Sequence, residues 1–156
     1  MFTPGVSNAS NLLADYLLAE MRERGENLTP LKLQKMMFYA DAWHLALFDQ
    51  EITGEKFKAW VHGPVLISQY HRFKEFRWMP IISDVTRPEV GVGLKDHLDD
   101  IVEIFGSETA VALERMTHQE FPWLEARGDL PDDEPCDNYI SKETTTQYYR
   151  KLGQDN

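Results

Sequence analysis

Leu28-Thr29-Pro30-Leu31-Lys32-Leu33-Gln34-Lys35-Met36-Met37-Phe38-Tyr39-Ala40-Asp41-Ala42-Trp43-His44-Leu45-Ala46 is the stretch on which the reading of this chain turns. Its start is marked twice. Thr29 offers a capping hydroxyl, and Pro30 sits at the first helical position, where a missing N–H costs nothing. Leu33, Met36, Met37, Ala40, Trp43 and Leu47 then recur at helical spacing. Leu31, Phe38 and Leu45 add apolar residues off that stripe. A helix that is apolar on more than one face is buried. The pattern predicts a central helix over 30–48.

Working outward, Leu12, Leu13, Tyr16, Leu17 and Met21 predict a helix over 9–24, capped within Ser7-Asn8-Ala9-Ser10 and stopped at Gly25. Downstream, Phe57-Lys58-Ala59-Trp60-Val61 alternates like a half-buried strand and predicts a short β-ribbon near 52–61. Gly63-Pro64 reads as the start of another helix, continued by Val65, Leu66, Tyr70 and Phe73. Pro80 to Gly93 reads as a loop with a short strand at Ile81-Ile82. Leu94, Leu98, Ile101, Val102 and Phe105 predict a fourth helix ending at Gly106. A fifth is expected after Ser107, with Val111, Leu113 and Met116 inward. Pro122-Trp123-Leu124 opens a short helical turn that stops at Gly128, and Ser141 caps a last helix through Tyr148 and Leu152. With no repeat and no long linker, the fold class is mainly α. It is a compact single-domain helical bundle around a central buried helix, covering 8–152.

Composition narrows the function classes. One core serves a chain of 156 residues, of which 42% are hydrophobic. The lone Cys136 cannot form an internal disulfide. Met1-Phe2-Thr3-Pro4-Gly5 has neither the basic nor the apolar region of a signal peptide, and no apolar run would span a bilayer. A cytoplasmic location without membrane contact is expected. Net charge is -10, all of it in the second half. Residues 1–78 hold nine Lys/Arg and nine Asp/Glu, so 79–156 hold seven of the 16 bases and seventeen of the 26 acids. That balance disfavours nucleic acid, whose binding rests on neutralising phosphates. A local basic set, Lys32, Lys35, Lys56, Lys58, Arg72 and Lys74, is the alternative to weigh. The densest acidic segment, with Asp129, Asp132, Asp133, Glu134 and Asp137 beside two prolines, predicts an exposed loop suited to a basic protein partner.

Motifs for chemistry are sparse. The nearest match to a zinc deaminase is His118-Gln119-Glu120 with Pro135-Cys136, and it lacks the second cysteine. The acids around Cys136 disfavour a thiolate. No metal ligand set, cofactor loop or catalytic group is expected, and the chain reads as a binding protein rather than an enzyme. A hydrolase using His62 or His118 with a carboxylate is the distant alternative.

Three segments remain: the 28–46 stretch, Ala59-Trp60-Val61-His62-Gly63-Pro64-Val65, and Met116-Thr117-His118-Gln119-Glu120-Phe121-Pro122-Trp123. In that order they resemble the Panacea antitoxin domain, a family that includes the SocA-like antitoxins and phage-associated GepA-like proteins. The resemblance runs from about Asn11 to Leu152. It is carried by Thr29, Pro30, Lys32, Leu33, Gln34, Lys35, Tyr39, Trp43 and His44, then Trp60, Gly63 and Pro64, then Thr117, His118, Glu120, Pro122 and Trp123. Met36-Met37-Phe38 departs from the usual leucines and tyrosine, and Met116 from a leucine, both conservative changes in a core. The resemblance implies an antitoxin that neutralises a cognate toxin, encoded beside it, by direct binding. In one branch the antitoxin hands its toxin to a cytosolic protease. Binding of a host factor by a phage-associated protein is the alternative. On this reading the motif residues build a scaffold, and the 80–93 and 129–137 loops are the partner-binding candidates.

Overall fold

The computed structural model describes residues 6–155. The expectation drawn from Met1 to Gly5 lies outside them. Seven α-helices and one two-stranded ribbon are described: α1 (Val6–Glu23), α2 (Pro30–Phe48), β1 (Lys58–Trp60), β2 (Gly63–Val65), α3 (Ile67–Phe73), α4 (Val92–Phe105), α5 (Ala110–His118), α6 (Phe121–Arg127) and α7 (Lys142–Gln154). A 3-10 turn, Lys74–Phe76, follows α3. The protein is mainly α. No helix among the described residues is long and apolar enough to cross a membrane.

α2 is the axis, and it begins as its caps dictate. The Thr29 hydroxyl accepts from the Lys32 N–H, and the left-handed Asp49 closes the far end by donating its N–H to the Leu45 carbonyl. Every residue from Lys32 to Ala42 is buried. The helices α7, α4, α1 and α5 and the strand β2 all pack on it. Tyr39 stacks on Phe105 at 4.5 Å and 4°, while Phe38 meets Phe57 and Tyr149 edge-on. Leu47 departs from the expected stripe. It is 63% exposed because the final turn of α2 has solvent on that side.

α1 begins at Val6, so the expected capping run Ser7 to Ser10 lies inside the helix. Ser10 is buried instead and bonds Glu55 Oε1 at 2.8 Å. The expected helix start at Gly63-Pro64 is also corrected. Those residues form β2, antiparallel to β1, with Lys58 opposite Val65 and Trp60 opposite Gly63. Gly63 has φ +110, which no helical entry tolerates, and a residue before proline prefers extended backbone. The ribbon thus spans 58–65, not 52–61. The helix waits until Ile67, where Glu55 Oε2 accepts the Ser68 N–H at 3.0 Å.

Ile81-Ile82 forms no strand. Ile81 is buried and its N–H bonds the Leu28 carbonyl, pinning the loop across the α1–α2 turn. Thr109, not Ser107, caps α5 through the Ala112 N–H. Val111 points outward at 60% exposure, because α5 buries only the Leu113–Thr117 side. Ser141 caps α7 as expected, accepting from the Thr144 N–H at 3.0 Å.

Candidate functional site

The three motif segments meet at one corner, where α2, the ribbon, α5 and α6 join. Gln34 clamps α3 to α2 by donating to the Leu66 carbonyl at 3.1 Å and accepting the Leu66 N–H at 2.8 Å. Lys32 donates to Glu26 and to the Gly106 carbonyl, each at 2.7 Å. Lys35 is wholly buried and donates to the Pro64 carbonyl at 3.2 Å. Burial pushes its pKa down to about 7, against the pull of Glu114. Its Cε lies only 2.5 Å from where a Cβ on Gly63 would stand.

The third segment is tied in the same way. Glu120 Oε1 accepts from the Tyr39 hydroxyl at 2.6 Å and the Tyr149 hydroxyl at 2.8 Å, joining α2 and α7 through the head of α6. Burial raises the Glu120 pKa while the two hydroxyls pull it back. The Thr117 hydroxyl bonds the Glu114 carbonyl. Pro122 is in the first turn of α6, and Trp123 donates its indole N–H to the Trp60 carbonyl at 2.9 Å. His118 stacks on Trp123 at 4.1 Å and 17°, and burial lowers its pKa. Trp43 packs on Tyr149, and His44 bonds the Gln50 carbonyl at 2.7 Å. Leu33 is in the core.

The acidic loop is built from the inside. Arg127, the last residue of α6, is buried and donates to the Ala59 and Pro131 carbonyls, each at 2.8 Å, and to the Glu134 carbonyl at 2.5 Å. Its plane covers Trp123, with the guanidinium carbon 4.8 Å from the ring centre. Arg127 therefore grips carbonyls and leaves Asp129, Asp132, Asp133 and Glu134 exposed to solvent. Asp137 behaves differently. It pairs with Lys58 at 2.8 Å, which holds its pKa low. The loop then returns to the ribbon, where Ala59 N–H bonds the Asn138 carbonyl and Ile140 N–H bonds the Phe57 carbonyl. Between loop and ribbon lies an open cleft of about 440 Å³, walled by Trp60, Val61, His62, Val65, Pro135, Cys136 and Asp137.

The 80–93 segment is more restrained than a free loop. Arg22 donates to the Ile81 carbonyl at 2.8 Å, and Arg87 pairs with Glu20 at 2.6 Å over the Tyr16 ring. The basic set of six does not make one face. Lys32 and Lys35 are buried, Arg72 is paired with Asp15, and Lys58 with Asp137. His62 pairs with Glu114 at 3.1 Å in the open, its side chain 68% exposed. Among the described residues, no group of three or more His, Cys, Asp or Glu side chains could hold a metal ion.

Arg127 was invisible as an anchor in the sequence, since an arginine near a helix end usually faces water. Its one signal is position: it precedes Gly128, which has φ +60, and so stands where the chain turns back over the ribbon.

A helical domain with its motif polar groups turned inward is one whose signature residues hold its shape. Residues 33–91 match the family model for the antitoxin SocA-like, Panacea domain. That span runs from the first turn of α2 through the ribbon and α3 to the head of α4, and it leaves the 117–123 segment outside. The chain thus carries an antitoxin-like domain match over all of the 59–65 segment and over residues 33–46 of the first. No curated protein and no solved structure matches it.

Proposed function

We propose that this protein is the antitoxin of a toxin–antitoxin pair and neutralises its cognate toxin by direct protein–protein binding. The observation that carries the role is the match of residues 33–91 to an antitoxin domain. The Arg127-anchored acidic loop supplies the contact surface. Its carboxylates project from a backbone already fixed, so little ordering cost falls due on binding. Electrostatic complementarity with a basic toxin face then speeds encounter. The role is non-catalytic: Glu120 is occupied by two tyrosine hydroxyls and His118 lies flat on Trp123. The partner is the product of the adjacent gene. Handing the toxin to a protease is a variant of the same role, marked by faster toxin turnover in cells.

The test is association kinetics with the purified neighbour. Replacing Asp132, Asp133 and Glu134 together by Ser is expected to slow association about tenfold at low salt without changing the melting temperature. Unchanged kinetics would remove the acidic loop from the interface.

A further inference from the structure

The ribbon has two sides, and the fold closes only one of them. On the β2 side, Lys35 donates to the Pro64 carbonyl at 3.2 Å, and Gln34 engages both backbone groups of Leu66 just beyond it. On the β1 side, residues 138–140 run antiparallel to β1, with Tyr139 opposite Lys58. Two bonds frame that pair. The Ala59 N–H donates to the Asn138 carbonyl at 2.9 Å, and the Ile140 N–H donates to the Phe57 carbonyl at 2.7 Å. Bonds one residue to either side of an antiparallel pair mark the pair as the kind that exchanges none between its own members. The N–H and C=O of Tyr139 therefore point away from β1. Neither has a hydrogen-bond partner among the described residues, and Tyr139 is 56% exposed. An edge residue with both backbone groups free is a template for another strand.

Charge decides what kind of strand fits. The chain enters this edge straight out of the acidic run, where Asp132, Asp133 and Glu134 are exposed. Arg127 ties that run to the sheet, because one end of its guanidinium holds the Ala59 carbonyl and the other the Glu134 carbonyl. Past the edge, exposed Glu143 stands in the first turn of α7. Between 128 and 145 the one cation is Lys142, and it is paired with Asp41. Lys58, across from Tyr139, is paired with Asp137. A second copy of the edge would bring a second acidic run with it, so like charges oppose pairing of this protein with itself. A basic strand meets the opposite sign. We propose that an extended, basic segment of the toxin adds as a strand along residues 138–140 by pairing with the Tyr139 backbone. This pairing presupposes the antitoxin reading, which supplies the partner, and gives its acidic loop a purpose. The loop draws the segment in, and the edge fixes its register. The toxin side chain opposite Tyr139 lies against the tyrosine ring, where Lys58 already stands 5.1 Å from the ring centre.

Amide exchange of the full chain, read residue by residue by NMR, tests this with and without the purified product of the adjacent gene. The Tyr139 amide is expected to exchange freely in the isolated chain and to slow by about tenfold or more in the complex. Two variants separate backbone from ring. Tyr139→Pro removes an N–H that bonds nothing within the fold, and an outward-facing position on an edge strand accepts proline. Tyr139→Ala removes the ring and keeps the N–H. Tyr139→Pro is expected to bind the neighbour about tenfold more weakly than Tyr139→Ala, with both melting near wild type. A complex in which the Tyr139 amide still exchanges freely overturns the proposal, and that result does not depend on the proline variant folding. Equal affinity of the two folded variants overturns it as well. In both cases the complex still forms, so the antitoxin reading stands. A neighbour that the wild type does not bind at all overturns both.

Discussion

The ammonium end of Lys35 occupies the space that a side chain at Gly63 would need. A Cβ there would stand 2.5 Å from Lys35 Cε and 3.0 Å from both Lys35 Nζ and the Thr117 hydroxyl. Gly63 also has φ +110. Position 63 is therefore closed to other residues by space and by backbone at once. Gly63→Ala is expected to destabilise the fold by about 2–4 kcal/mol, seen as a lower urea midpoint with an unchanged slope. A midpoint within error of wild type would contradict the packing described at this corner.

Lys35 makes stability depend on pH in a direction that can be worked out. Its folded pKa, about 7, lies below the ordinary 10.5 because burial disfavours the cation. Between those values the unfolded chain holds a proton that the folded chain has released, so folding grows more favourable as pH rises through the window. Below pH 7 both states are protonated and the cost is constant. At ~1.4 kcal/mol per pH unit the ceiling is about 5 kcal/mol. Lys35→Met removes the group, so its advantage over wild type should be greatest at pH 6 and shrink toward pH 9. A difference independent of pH would show that Lys35 is not held in this state.

Glu120 is needed as an acceptor more than as a charge. Glu120→Gln keeps an oxygen for the Tyr39 and Tyr149 hydroxyls and should lie within about 1 kcal/mol of wild type. Glu120→Leu strands both hydroxyls and should cost about 2–4 kcal/mol. Equal losses in the two variants would mean that the carboxylate charge itself is required. Thermal melts of the pair decide it.

Arg127 is predicted to set the order of the acidic loop. Arg127→Met leaves every loop carboxylate in place but removes the donor that holds Ala59, Pro131 and Glu134 carbonyls together. Amide exchange across 129–137 should accelerate by an order of magnitude or more, while amides of α2 keep their protection. Exchange unchanged in the loop would show that the turn chemistry of Pro131 and Pro135 suffices without the arginine.

The helices were legible wherever a cap and an apolar stripe agreed. Thr29-Pro30 fixed the start of α2, and Ser141 that of α7. The misreadings have physical causes. Gly63-Pro64 looks like a helix start, since proline suits a first turn, but the positive φ that packing on Lys35 demands of Gly63 is a tertiary requirement. Ser107 and Thr109 are both able caps, and sequence alone does not rank them. The polar members of the motifs were harder still. Gln34, Lys35 and Glu120 would pass for surface residues on a helical wheel, and only the fold shows Leu66, Pro64 and the two tyrosines waiting for them. The exposed acidic loop was plain from its charge and prolines, whereas its anchor Arg127 was not, because an arginine at a helix end departs from no ordinary pattern.

The most direct test of the antitoxin proposal is co-expression with the neighbouring gene, reading growth and capturing the complex in the same cells. The neighbour alone is expected to arrest growth, this chain to restore it, and the two to purify together. The Asp132, Asp133 and Glu134 to Ser variant, still folded, is expected to restore growth less well. A toxic neighbour that this chain neither binds nor counteracts would contradict it.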